Sequence, residues 1–210
     1  MAHTQAPAVA MAVGSLLALA GSGIDAAPQV RTVVVHVTDY AHVWAGDLAQ
    51  AQRAAARPYV YAGVPLVWTN RGIATAKPDG ALHLEVIILD AQMTDRLKPA
   101  EGALGIAHRA SGRTHLFYGR IVTQAAESDT VLPRTLGYVL AHEVGHLILP
   151  EYSHASDGLM GPSFPDRIKD VPLFAPAEAD MLRTVLSAAP DAAGVDRPTR
   201  SSGRLAGTTP

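Results

Sequence analysis

Two histidines and a glutamate stand together in one short stretch of the chain, His142-Glu143-Val144-Gly145-His146. Residues four positions apart lie on the same face of an α-helix, one turn above each other, so both imidazoles can reach one metal ion. Glu143 projects about 100° around the helix from His142, which suits a base acting on a water molecule better than a third ligand. The spacing therefore predicts a zinc site with a neighbouring proton acceptor.

A third ligand is expected, because catalytic zinc sites usually combine three protein ligands with a water. Pro150 ends the helix that carries the pair, and the chain then turns back to His154, eight positions after His146. We expect His154 to be this ligand, because neutral imidazole is the commonest metal ligand in proteins. Two carboxylates of the same loop are the alternatives, Glu151 and Asp157.

The helix that carries the pair is predicted to begin at a cap on Asp129 or Thr130, to accept Pro133 in its first turn and to run to about Leu149. Its apolar side chains form one arc with the histidines at the edge: Leu132, Leu136, Leu140, Val144 and Leu147. Burial of both histidines and the glutamate on this helix without a partner would be costly. The helix context therefore favours metal binding over a chance match.

Strands and two further helices are predicted around the helix that carries the histidine pair. Strands are expected at 30–37, 64–69 and 82–89, a hairpin or meander at 103–108 and 114–122, and helices at 45–57, ending before Pro58, and at 177–186. The order of elements favours an α+β or mixed-sheet domain over a doubly wound one.

The stretch 141–162, AHEVGHLILPEYSHASDGLMGP, resembles the metzincin clan of zinc metallopeptidases, most nearly the matrixin-like branch. The signature of that clan is H-E-x-x-H-x-x-G-x-x-H followed by a Met-turn. Its ligands and base align with His142, Glu143, His146 and His154. Met160 aligns with the methionine that lies beneath the metal in this family.

The chain departs from the signature at two points. Seven residues stand between His146 and His154, where the signature has five, and Leu149 occupies the position of the family glycine. The resemblance implies an α+β, zincin- or metzincin-like domain, with a mixed twisted sheet, an active-site helix and a small C-terminal helical subdomain.

The same resemblance implies a zinc-dependent metalloendopeptidase. Zn²⁺ would be the cofactor, a zinc-bound water would attack the peptide bond, and Glu143 would be the general base. The substrate would pair with an edge strand at 103–108, where Gly102 and Gly105 allow close backbone approach. The alternatives are a non-hydrolytic zinc-binding module that keeps a zincin fold, and a zincin whose last ligand is a downstream carboxylate, Glu178.

Composition limits the other functions that the chain can have. Its 210 residues suit one domain, and 48% apolar with 17% charged residues excludes a globally disordered chain. A net charge of −2 excludes the basic surface of a nucleic-acid-binding protein, and the absence of cysteine excludes disulfides and thiolate metal sites. We expect a monomer whose partner is a peptide or protein substrate.

The N-terminal region has the pattern of an export signal. The uncharged apolar run 8–20 is too short to span a bilayer and is followed by small residues. We expect a signal peptide at 1–27, cleaved near residue 20 or 27, a catalytic domain at 28–186 and a flexible tail at 187–210. The mature protein would then be secreted or periplasmic, without a membrane segment.

Overall fold

The computed structural model describes residues 29–70, 80–150, 157–165 and 167–188. The strands are β1 (Val33–Asp39), β2 (Leu66–Asn70), β3 (Leu82–Leu89), β4 (Gly105–His108) and β5 (Arg113–Phe117). The helices are α1 (Ala45–Tyr61), α2 (Ala91–Leu97), α3 (Tyr118–Glu127), α4 (Leu132–Ile148) and α5 (Pro176–Ser187). A 3-10 helix, Arg109–Ser111, joins β4 to β5. No helix among these residues is long and apolar enough to cross a membrane.

The five strands form one mixed sheet with the order β2-β1-β3-β5-β4. β2, β1, β3 and β5 run parallel to one another, and β4 lies antiparallel to β5 at one edge, with Ile106 opposite His115. The protein therefore has a mixed, mostly parallel sheet with helices, in agreement with the prediction of a mixed-sheet domain, and the expected hairpin supplies the edge strand.

The two faces of the sheet differ in polarity. One face carries fully buried side chains such as Val35, Val86 and Leu116, and it is covered by α1 and α4, which pack against each other. On the other face, His36, Glu85 and Arg113 lie side by side on neighbouring strands. α4 therefore packs against both the sheet and α1, with the predicted apolar arc turned into the core.

α1 passes through Pro58, so the prediction that this helix ends before the proline is wrong. The helix continues to Tyr61, and the Ala62 amide still donates to the Pro58 carbonyl at 3.0 Å. The reason is tertiary: Tyr59 is fully buried, and its hydroxyl donates to the Ala141 carbonyl at 2.7 Å. The free energy gained by packing this tyrosine outweighs the loss of the one backbone hydrogen bond that a proline cannot donate within a helix.

The predicted strand 114–122 is wrong beyond Phe117, where the chain enters α3. Ile121 and Ala125 of α3 lie four positions apart and are both buried, so helical spacing buries them together. α2 was not predicted; the side chain of Asp90 caps it by accepting a hydrogen bond from the Met93 amide at 2.7 Å. That aspartate is the sequence signal that identifies the start of this short helix.

The range of α4 confirms the predicted helix, but the predicted cap is wrong. Val131 occupies the cap position and makes no side-chain hydrogen bond there. Asp129 has a φ angle of 47°, and the Thr130 hydroxyl instead accepts a hydrogen bond from the Ile168 amide at 3.3 Å. β3 has the predicted bounds, α5 is one residue longer at each end, and β1 begins three residues later than predicted.

Candidate metal centre

His142 and His146 direct the same ring atom towards one point. Their Nε2 atoms are 3.0 Å apart, and the two rings are nearly perpendicular, with centroids separated by 4.6 Å. The arrangement follows from the four-residue spacing on α4, which places both side chains on one face. Both rings are partly exposed, although the helix between them is buried.

The ring of His142 is oriented by a contact from outside α4. Its Nδ1 lies 2.8 Å from the carbonyl oxygen of Leu159. Because a carbonyl oxygen only accepts hydrogen bonds, Nδ1 carries the proton and Nε2 presents its lone pair towards His146. Histidine ligands of metals are commonly oriented by such a bond from their second ring nitrogen.

Met160, which follows α4 in the chain, packs against Gly145 of that helix. Met160 is fully buried, and a Cβ atom built on Gly145 would lie 2.6 Å from its sulfur. Since Gly145 precedes His146, the methionine packs against the turn of α4 that carries both histidines. The absence of a side chain at residue 145 permits this close approach.

The donor atoms fit a zinc ion at this point. Two nitrogens that bind one zinc ion at about 2.05 Å with a tetrahedral angle lie about 3.3 Å apart, close to the observed separation of 3.0 Å. Small rotations of the two rings would complete the match. Unprotonated imidazole nitrogens are also among the ligands that zinc prefers.

The predicted third ligand, His154, lies outside the described residues, as does Glu151. Within the described ranges, no three histidine, aspartate or glutamate side chains come together as a metal site, so neither Asp157 nor Glu178 joins the pair there. Asp157 is exposed, and Glu178 Oε2 accepts a hydrogen bond from the Ala175 amide at 2.9 Å at the start of α5. The third ligand stays a prediction.

Glu143 lies against the edge strand. It is 8% exposed, and a Cβ atom built on Gly105 of β4 would lie 2.8 Å from its carboxyl carbon. Burial raises the pKa of Glu143 to about 7, and the nearby Thr114 side chain acts in the opposite direction. A carboxylate with this pKa is suited to accept and return a proton near neutral pH.

Two positioning contacts of the site were not predicted from the sequence: the Leu159 carbonyl on His142 and the packing of Glu143 on Gly105. Gly105 was expected to admit a substrate backbone, and the structure shows that it admits the glutamate. The sequence signal for this contact was Gly105 itself, because a glycine inside a strand often marks a site where another group approaches the backbone closely.

Two pockets flank the site along β4. One, of about 220 Å³, lies beside His142 and Glu143 and is lined by Leu104, Tyr138 and Phe164 among others. The second, of about 350 Å³, lies beside Glu143 and His146 and reaches Arg109 and Pro150. His142, Glu143 and His146 of α4 therefore lie between two pockets, which together form one cleft along β4.

The remaining histidines lie mainly on the polar face of the sheet. His36 Nε2 is 2.9 Å from His83 Nδ1, the Thr69 hydroxyl is 2.8 Å from His36 Nδ1, and the rings of His108 and His115 meet edge to face. His42, outside the strands, is exposed and has a φ angle of 54°.

No protein-family model matches the chain, and no curated protein is significantly similar to it in sequence. Among solved structures, a zinc-dependent peptidase from Methanocorpusculum labreanum matches with a TM-score of 0.47 and 11% sequence identity, over 70% of this chain and 99% of that chain. At this identity, the roles of residues must be established on this chain itself.

Proposed function

We propose that this protein is an exported zinc-dependent metalloendopeptidase, with His142, His146 and His154 as zinc ligands and Glu143 as general base. The observation that carries the proposal is the 3.0 Å separation of the His142 and His146 Nε2 atoms, next to a buried carboxylate. A purely structural metal site has no use for such a base, so Glu143 favours hydrolysis over a non-hydrolytic zinc-binding module.

When bound, zinc supplies a Lewis acid that makes a water molecule more acidic and polarises a substrate carbonyl. Glu143 then accepts a proton from the attacking water and later delivers it to the leaving amine. Its position between α4 and β4 keeps the carboxylate beside the cleft, where it has little contact with bulk solvent. His142 is held in its binding orientation by the Leu159 carbonyl throughout.

The edge strand β4 provides the path for an extended substrate. Within the described part of the chain, β4 pairs only with β5, and its other side borders the two pockets that flank Glu143. A peptide can therefore add to the sheet as a further strand and place one of its peptide bonds beside α4.

Zinc content is the first test. We expect native mass spectrometry of the full chain to show one bound zinc ion, and the His154→Ala variant to lose it or to hold it much more weakly. A folded wild-type chain without zinc would refute the proposal, and zinc retained in His154→Ala would assign the third ligand elsewhere.

Hydrolysis separates the peptidase from a zinc-binding module. We expect the zinc-loaded chain to cleave a randomised peptide mixture and Glu143→Ala to keep its zinc while losing cleavage. Equal loss of zinc and cleavage would contradict the role of Glu143 as a base. Export rests on residues 8–20 alone, and N-terminal sequencing of the protein released from its producing cells would detect cleavage near residue 20 or 27.

A further inference from the structure

Arg109 stands at one end of the cleft, and within the described ranges no carboxylate forms an ion pair with it. It lines the pocket that contains Glu143 and His146, and it directly follows β4. Among the described residues, the arginines that form ion pairs are Arg57, Arg113, Arg167 and Arg183, and Arg120 donates to two carbonyls. The guanidinium of Arg109 takes part in none of these contacts, so it is available to a ligand.

The other end of the cleft has the opposite charge. Beyond the pocket beside His142, a neighbouring pocket is lined by Glu101 and Glu127 together with Arg120. Counting formal charges, this end carries one excess negative charge, whereas at the other end the exposed Arg109 adds a positive charge beside the buried Glu143. An acidic side chain is therefore attracted to one end of β4 and repelled from the other.

The direction of the bound peptide follows from pairing with β4. Antiparallel ladders are slightly more stable per residue than parallel ones. A peptide antiparallel to β4 runs from the Arg109 end towards Gly105, so its residues before the scissile bond lie beside Arg109. Resting on the proposed function, we infer that the protein prefers peptides with aspartate or glutamate two or three positions before the cleaved bond, read by Arg109.

The effect has the size of an exposed ion pair, because Arg109 is exposed. For a cleaved peptide with glutamate at the preferred position, Arg109→Ala lowers kcat/KM about two- to fivefold. The analogue with glutamine at that position shows no change. Arg109→Glu reverses the preference in favour of lysine and arginine.

The test compares cleavage-site profiles of a randomised peptide mixture, read by mass spectrometry, for zinc-loaded wild type, Arg109→Glu and Arg53→Glu. Arg53 is the matched control, since it is exposed on α1, forms no ion pair within the described residues and does not line the cleft. We expect acidic enrichment before the cut in wild type and Arg53→Glu, and basic enrichment in Arg109→Glu.

The outcomes separate this inference from the proposed function. Cleavage by wild type without acidic enrichment, or enrichment that persists in Arg109→Glu, overturns the assignment to Arg109 and leaves the peptidase standing. A zinc-loaded wild type that cleaves nothing overturns the proposed function, and the preference with it.

Discussion

Replacement of Gly105 by alanine tests how the proposed base is held. A Cβ atom at this position would lie 2.8 Å from both Cγ and Cδ of Glu143 and 2.9 Å from Oε1. The atoms that must yield belong to the end of a flexible side chain, while the backbone of β4 can stay in place. The substitution therefore displaces the carboxylate and leaves the fold and the histidine pair nearly unchanged.

The displacement has a calculable size. Ordinary contact requires at least 3.4 Å, so the carboxyl group moves by about 0.6 Å from its present separation of 2.8 Å. Misplacement of a catalytic group by about 1 Å can reduce the rate about 100-fold. We expect a decrease of about tenfold in kcat, equivalent to about 1.4 kcal/mol in activation free energy.

Three measurements on Gly105→Ala check this reasoning: kcat on a peptide cleaved by wild type, zinc affinity by competition with a chromophoric chelator, and Tm. The control is Gly119→Ala, because a Cβ atom on this α3 residue meets nothing within 4 Å. We expect kcat to fall only in Gly105→Ala, with zinc affinity preserved in both variants. A kcat within twofold of wild type would refute the argument that contact with β4 positions Glu143.

Three further outcomes follow from the packing around α4. Tyr59→Phe removes the hydrogen bond to the buried Ala141 carbonyl, and should destabilise the fold by about 1–2 kcal/mol in chemical denaturation; unchanged stability would mean that the carbonyl needs no such partner. Gly145→Ala forces Met160 to move and should cost about 1–3 kcal/mol by the same method, whereas a neutral effect would show that the methionine packing is loose. Zinc at about 100 times its Kd should stabilise the chain by about 2.7 kcal/mol, a gain that a chelator removes; an equal gain in His142→Ala would place the zinc elsewhere.

The sequence predicts those elements best whose pattern is local. β3 is an apolar segment and α4 a long amphipathic one, and both have almost the predicted bounds. The errors occur where contacts between residues far apart in the chain determine the local structure. α1 continues past Pro58 because Tyr59 bonds to α4, and Ile121 is buried in the core as part of a helix where a strand was expected. Such contacts join residues far apart in the chain and leave no local pattern.

The same division applies to the candidate site. Four-residue spacing on a helix suffices to predict that His142 and His146 meet, because helix geometry alone brings them together. The contact between Glu143 and Gly105 depends on how α4 lies across the edge of the sheet, and the Leu159 contact depends on the loop after α4. Neither arrangement can be calculated from residue spacing.

The two proposed activities, zinc binding and hydrolysis, depend on different elements, so mutations can separate them. The proposed metal binding depends on α4 and the residues that follow it, whereas the placement of the proposed base depends on its contact with β4. Changes in the edge of the sheet should therefore alter hydrolysis at constant zinc affinity, as Gly105→Ala does in the expected outcome. A protein that lost only these sheet contacts would keep its zinc and become a zinc-binding module, so the two candidate functions differ by the position of one carboxylate.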